Sequence, residues 1–269
     1  MSLDALAVPV AICAAATFLV WVLSLFTREC SWVDRLWSIF PVVYVGWFAY
    51  AAGWRDARLD LMTLLVAAWG ARLTYNFARK GGYAPGGEDY RWAELRRRMS
   101  PALFQVFNLV FVCVVQNALL LAIALPAWIA FHFRGAPLGT VDALAACLVA
   151  LFIAGETVAD QQQWRFQQDK KVRLARGEVV EPGFLTTGLF RYSRHPNFFC
   201  EQAIWWSLYL FGVAAGGGWI NWALAGPIGL TLLFHGSTRF TEELSLRKYP
   251  AYAAYQRSTS RWIPWKPGR

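Results

Sequence analysis

Glu201 closes the run Arg191-Tyr192-Ser193-Arg194-His195-Pro196-Asn197-Phe198-Phe199-Cys200-Glu201, in which a cationic loop passes into an apolar stretch. A carboxylate, an amide, an imidazole and two guanidiniums so close together can bind an anion, orient a hydroxyl or amide by hydrogen bonds, and move a proton. At the edge of an apolar stretch they are within reach of both a water-borne anionic cofactor and a lipid-borne substrate. The run is therefore the candidate active site of a membrane enzyme.

A second pattern lies upstream. Glu156, Asp160, Gln163 and Gln167 recur at spacings of four, three and four, which places them on one face of a helix. Polar groups in an apolar stretch are expensive to bury without partners, so their retention suggests a function. Two readings stand: a stripe sealing a helix bundle, with Glu156 paired to a buried arginine such as Arg72, or the wall of a ligand cavity open to the cytoplasm. Gln116 and Asn117 interrupt another apolar stretch, where they hydrogen-bond across helices or, with Asp34 and Arg35, line a substrate pocket. For Asp34 the alternative is an interfacial ion pair with Arg35 or Arg28. The tail carries Arg239, Glu242, Glu243, Lys248, Tyr249, Tyr252, Tyr255, Arg261 and Trp262-Ile263-Pro264-Trp265, which suits either an amphipathic helix lying on a bilayer or contacts to a nucleotide.

The elements that must position these groups are membrane spans. The chain is 57% hydrophobic and only 16% charged over 269 residues, with a mean hydropathy of +0.34, whereas soluble domains carry about 25% charged residues. Ala5 to Phe26 is free of charge and long enough to cross a hydrocarbon core of about 30 Å. It is too long for the apolar region of a signal peptide. Further spans are expected at 37–52, 61–77, 103–127, 141–164, 197–213 and 219–235, bounded by charge, Gly or Pro. The short break Ala214-Ala215-Gly216-Gly217-Gly218 predicts a tight hairpin between the last two. The expectation is an all-α, polytopic protein of seven transmembrane helices in a single domain, residues 1–130 forming a substrate-side half and 141–269 a nucleotide-binding half.

Of the 26 Lys and Arg residues, 20 fall in the segments after the third and fifth spans and in the tail, and only Arg55, Arg58 and Arg134 fall in the opposite loops. The excess of Lys and Arg on cytoplasmic loops predicts an external N-terminus and a cytoplasmic C-terminus. The net charge of +9 is explained by this orientation and by attraction to anionic lipid. Nucleic acid is not an expected partner, because the cations are split among membrane-tethered loops. A compact polyanion such as a dinucleotide fits loops that converge. The five cysteines have no paired spacing, and three histidines without a ligand-spaced cluster predict no metal. No Gly-rich dinucleotide fingerprint or P-loop is present, so a nucleotide would be held by another arrangement.

Gly188-Leu189-Phe190 followed by Tyr192-Ser193-Arg194-His195-Pro196-Asn197-Phe198-Phe199 and Glu201, with Lys248-Tyr249-Pro250, Tyr252, Tyr255 and Ile263-Pro264, resembles the C-terminal half of the steroid 5-alpha-reductase family. The whole chain is similar to the bacterial, DUF1295-like branch, through Ser31-Trp32-Val33-Asp34-Arg35-Leu36-Trp37 and Glu88-Asp89-Tyr90-Arg91-Trp92. The resemblance implies a seven-helix protein of the bacterial inner membrane. In it NADPH would enter from the cytoplasm and reduce the activated carbon–carbon double bond of a lipophilic, steroid-like 3-oxo-Δ4 enone. It implies cofactor binding by Glu156, Asp160, Asn197 and Glu201, joined by Gln163, Tyr192, Arg194, His195, Glu242 and Tyr249, with Arg173 and Arg261 on phosphates. Asp34 takes the place of the family's acid, with Arg35 and Gln116 beside the substrate. Trp69 stands where the eukaryotic enzymes have a carbonyl-polarising tyrosine, and Arg72 at the family's arginine. Membrane methyltransferases of the isoprenylcysteine or phospholipid type resemble the same Arg-His-Pro-Asn segment and would use S-adenosylmethionine. Sterol double-bond reductases share that segment too.

Overall fold

The computed structural model describes residues 4–266, and every regular element among them is helical. Each apolar stretch read from the sequence forms a helix. α1, Asp4–Thr27, is the charge-free run. The short α2, Trp32–Leu36, carries Asp34 and Arg35 and is separated by a turn from α3, Phe40–Ala51, which has Pro41 in its first turn. The second stretch therefore begins three residues later than expected. α4, Ala57–Arg79, starts at an Asp56 cap whose carboxylate accepts the Leu59 amide at 3.0 Å. α5, Tyr90–Arg98, is capped by Asp89. α6, Pro101–Phe107, follows a Ser100 cap and a first-turn proline.

Between α6 and α7, Gln116–His132, the chain widens into a π-helical stretch, Asn108–Val115. α8, Thr140–Ala175, is the longest element; an apolar span is expected to end at Trp164, before Arg165, but no Gly or Pro follows Trp164 until Gly177 and the helix runs on. α9 covers Pro196–Gly212. A turn at Trp222–Leu224, capped by Asn221, leads into α10, Ala225–Lys248, and α11 covers Tyr252–Ser258. Among the described residues three helical runs are long and apolar enough to cross a membrane: Asp4–Thr27, Pro101–His132 and Thr140–Ala175. The protein is thus an all-helical membrane protein.

The chain divides into two compact units, one ending at Cys147 and joined by Trp205–Leu230, the other made of Leu148–Ile204 and Thr231–Arg269. In the first unit α3 packs on α4 and α7, and α1 on α7. Trp69 is fully buried, edge-on to Trp205 at 4.8 Å. A buried bidentate pair joins Arg58 to Asp142, at 2.7 and 2.9 Å. Gly226 is where the first turn of α10 meets α7: a Cβ there would lie 2.4 Å from the Ala122 carbonyl oxygen, a contact backbone cannot relieve. Gly226→Ala is expected to cost about 1–3 kcal/mol in denaturant unfolding, as overpacking does; an unchanged midpoint would mean that the two helices move apart freely.

Candidate functional site

The second unit gathers most of the expected site residues, and it does so in two separate groups. The first group lies where α8 faces α9. Glu156, Asp160 and Glu201 are each 4% exposed, and Asn197 Nδ2 donates to Asp160 Oδ1 at 3.5 Å. Helix periodicity stacks Asp160 one turn beyond Glu156, and Glu201 one turn beyond Asn197. The helices come close here because Gly155 has no side chain: a Cβ at that position would sit 3.0 Å from Cys200 Sγ. Farther along the same face of α8, Gln163 is half-buried and Gln167 exposed, so the stripe runs from the interior to the surface. Three buried acids with a half-buried amide among them form a set rich in hydrogen-bond acceptors. That chemistry suits ribose hydroxyls and a carboxamide NH2.

The second group is a knot centred on Glu242, which is 2% exposed. Its Oε1 accepts Arg194 Nε at 2.7 Å and lies 3.0 Å from His195 Nε2; its Oε2 accepts Arg194 Nη2 at 3.2 Å and Gln256 Nε2 at 3.0 Å. Arg261 Nε stands 3.5 Å away. Arg194 Nη1 also donates to the carbonyls of Gln256 and Thr259. Main-chain bonds run alongside: Arg194 N to Ser260 O at 2.9 Å, His195 N to Arg261 O at 3.1 Å, and Trp265 N to Tyr192 O at 3.0 Å. Burial opposes the charged form of Glu242, but the hydrogen bonds from His195 and Arg194 outweigh it and hold the carboxyl at about 2. Arg194, His195 and Glu242, expected on a cofactor, are thus bonded to one another, and what they do directly is fasten the tail to the segment that begins α9. Tyr192 contributes its carbonyl to this staple, and its side chain is 43% exposed.

Tyr249 sits beside the knot with its hydroxyl 2.6 Å from Lys170 Nζ. Burial resists ionisation of the phenol, but the ammonium outweighs it and holds Tyr249 below its usual value. Lys170 Nζ also donates to the carbonyl of Gly183, whose missing Cβ lets the Tyr249 ring lie against it. Lys170 and Gln256 are not among the site residues expected from sequence. Lys170 had a signal, since it continues the α8 stripe three residues after Gln167; Gln256 had none. Arg173 pairs with Glu178 at 2.9 Å on the surface, a weak tie that an anion can replace.

In the first unit, Asp34 and Arg35 have different surroundings. Arg35 is 7% exposed, pairs with Glu29 at 2.7 Å and donates to Gly82 O at 3.1 Å, while Tyr83 OH donates to the Arg35 carbonyl. It therefore rivets the Gly81–Gly87 loop to α2 and makes no pair with Asp34. Asp34 Oδ2 instead accepts Trp92 Nε1 at 2.9 Å. Burial pushes its carboxyl up, against the pull of Trp92 and Arg91. Gln116 is buried at the step from the π-helical stretch into α7, and Asn117 Nδ2 donates to Cys113 O at 2.7 Å. Among the described residues no His, Cys, Asp and Glu cluster has metal-ligand geometry.

A family model described as "Protein of unknown function (DUF1295)" matches residues 20–259. A protein of Schizosaccharomyces pombe carrying the name "uncharacterized" is 39% identical over 259 residues, covering 91% of this chain and 75% of its own length. No solved structure matches.

Proposed function

The chain belongs to the DUF1295 family, and we propose that it is an NADPH-dependent reductase of the steroid 5-alpha-reductase type, crossing the bacterial inner membrane seven times with its C-terminus in the cytoplasm. Its substrate on this reading is a lipophilic, steroid-like enone. The observation that carries the reading is the group of the buried Glu156, Asp160 and Glu201 with the half-buried Asn197, acceptor-rich and continued by a polar stripe to the surface. Such a group fits the ribose and carboxamide of a dinucleotide. Arg165, Lys171, Arg176 and Arg191, which make no ion pair among the described residues, are available to its phosphates. The Glu242 knot has a positioning role, holding Asn197 and the start of α9 in register with the tail.

NADPH, when bound, supplies a hydride to the β carbon of the enone. Asp34 has the complementary role. Burial raises its pKa, and on this reading the acid form donates a hydrogen bond to the carbonyl oxygen as negative charge gathers there. Trp92, donating to the other edge of the carboxyl, fixes its orientation. Trp69 is buried against Trp205 and has no hydroxyl to share this work.

The test is thermal stabilisation of detergent-extracted protein. A ligand in excess at about 100 times Kd adds about 2.7 kcal/mol to the native state. NADPH is expected to raise the melting temperature. Asp160→Asn, which removes a charged acceptor, is expected to weaken NADPH about tenfold or more, the worth of one charge-assisted hydrogen bond. Stabilisation by S-adenosylmethionine and not by NADPH would overturn the reductase reading in favour of a methyltransferase.

A further inference from the structure

A cavity of about 460 Å³ opens beside the C-terminal end of α1, bounded by that end, the α5–α6 corner and the first residue of the π-helical stretch. We infer that it holds the singly charged headgroup of an anionic membrane lipid. Charge is the first reason. Two guanidiniums line the cavity, Arg28 and Arg96. Arg96 is shared with Glu88, 3.3 Å from each carboxylate oxygen, and Glu88 Oε1 also accepts the Cys30 amide at 2.6 Å. That pair is neutral. Arg28 is exposed and makes no ion pair among the described residues, so it leaves one uncompensated positive charge at the mouth.

The backbone also points to a binding role for this residue. Arg28 has φ of 58°, in the left-handed region that long side chains rarely occupy and that recurs at ligand sites. The turn aims its carbonyl at Arg96 Nη2, at 3.1 Å. The inner polar wall is already satisfied, Asn108 Nδ2 donating to Ser24 Oγ at 2.8 Å, so the remaining demand on an occupant is the charge at Arg28. Apart from the exposed, neutral Gln105, the rest of the lining is apolar, with Phe104 beneath Arg96 and Leu25 and Pro101 beside it. At its edge the end of α1 is greasy too, Leu25 being 44% and the next residue, Phe26, 84% exposed. A phosphate monoanion with acyl chains uses both the cation and this greasy surface, whereas a free inorganic anion uses only the first. None of the residues involved belongs to the reductase machinery, so this inference stands or falls separately from the reading above.

The test is native mass spectrometry of the full chain in detergent, titrated with palmitoyl-oleoyl phosphatidylglycerol or with phosphatidylcholine of the same chains. Wild type is expected to take the first phosphatidylglycerol about tenfold more tightly than phosphatidylcholine. Arg28→Asn, which accepts the left-handed backbone, should abolish that preference, and Arg28→Lys should keep it. Arg134→Asn, removing an exposed cation elsewhere, should change nothing. Equal binding of the two lipids, or an undiminished preference in R28N, would overturn the inference. Displacement of the lipid by millimolar inorganic phosphate would do so too, because the apolar wall would then contribute nothing.

Discussion

Replacing Glu242 with alanine is expected to destabilise the protein by about 3–5 kcal/mol, the cost of removing one partner from a buried ion pair and leaving the other charge uncompensated. Arg194 is 9% and His195 8% exposed, and Gln256 also gives its side-chain hydrogen bond to this carboxylate. The loss should register first as exposure of residues 252–266 to protease, because the tail is held to the Arg194 segment through this group. The same network makes stability acid-sensitive. A carboxyl held at about 2, against an ordinary value of 4.5, contributes stability in full above 4.5 and loses it as pH falls from there toward 2. Glu242→Gln should flatten that part of the pH profile. A change of less than about 1 kcal/mol in Glu242→Ala, the range of an exposed pair, would contradict the burial that makes the knot strong.

Asp34→Asn is expected to lower kcat for enone reduction about 10²- to 10³-fold with little change in KM, as removal of one donor to a developing oxyanion does. Asparagine can still accept from Trp92 Nε1 or turn its NH2 outward, so the fold should survive. The pH dependence separates a chemical role from a structural one. The protonated acid is the donor and its pKa is raised, so wild-type turnover should fall as pH rises through that raised value, and the Asn variant should lose this limb. An Asn variant with undiminished turnover would remove Asp34 from the mechanism.

Helix positions were legible because charge-free runs act locally, and the structure adds the caps Asp56, Asp89 and Ser100 at the starts of α4, α5 and α6. The helix ends were less so, since charge at Arg165 ends an apolar run but not a helix. The acid stripe on α8 could be read from spacing alone, and Lys170 would have extended it. Partnerships across the chain could not. Asp34 meets Trp92 from 58 residues away and Arg194 meets Glu242 from 48, and no periodicity links such pairs. Hence the contacts by which Arg35 pins a loop and Arg194 and His195 bind the tail are seen only in the fold. The π-helical stretch has no signature either, because Asn108–Val115 is composed like any apolar helix and its wide turns depend on packing.

The most direct measurement is isotopic. Purified protein is incubated with NADPH carrying deuterium at the transferable C4 position and a 3-oxo-Δ4 steroid, and the product is read by mass spectrometry and NMR. One deuterium is expected at the β carbon of the former enone, reduced in Asp160→Asn at limiting NADPH and restored by excess nucleotide, and strongly reduced in Asp34→Asn. A product without deuterium, or a steroid recovered unchanged while the nucleotide is bound, would contradict hydride transfer by this protein.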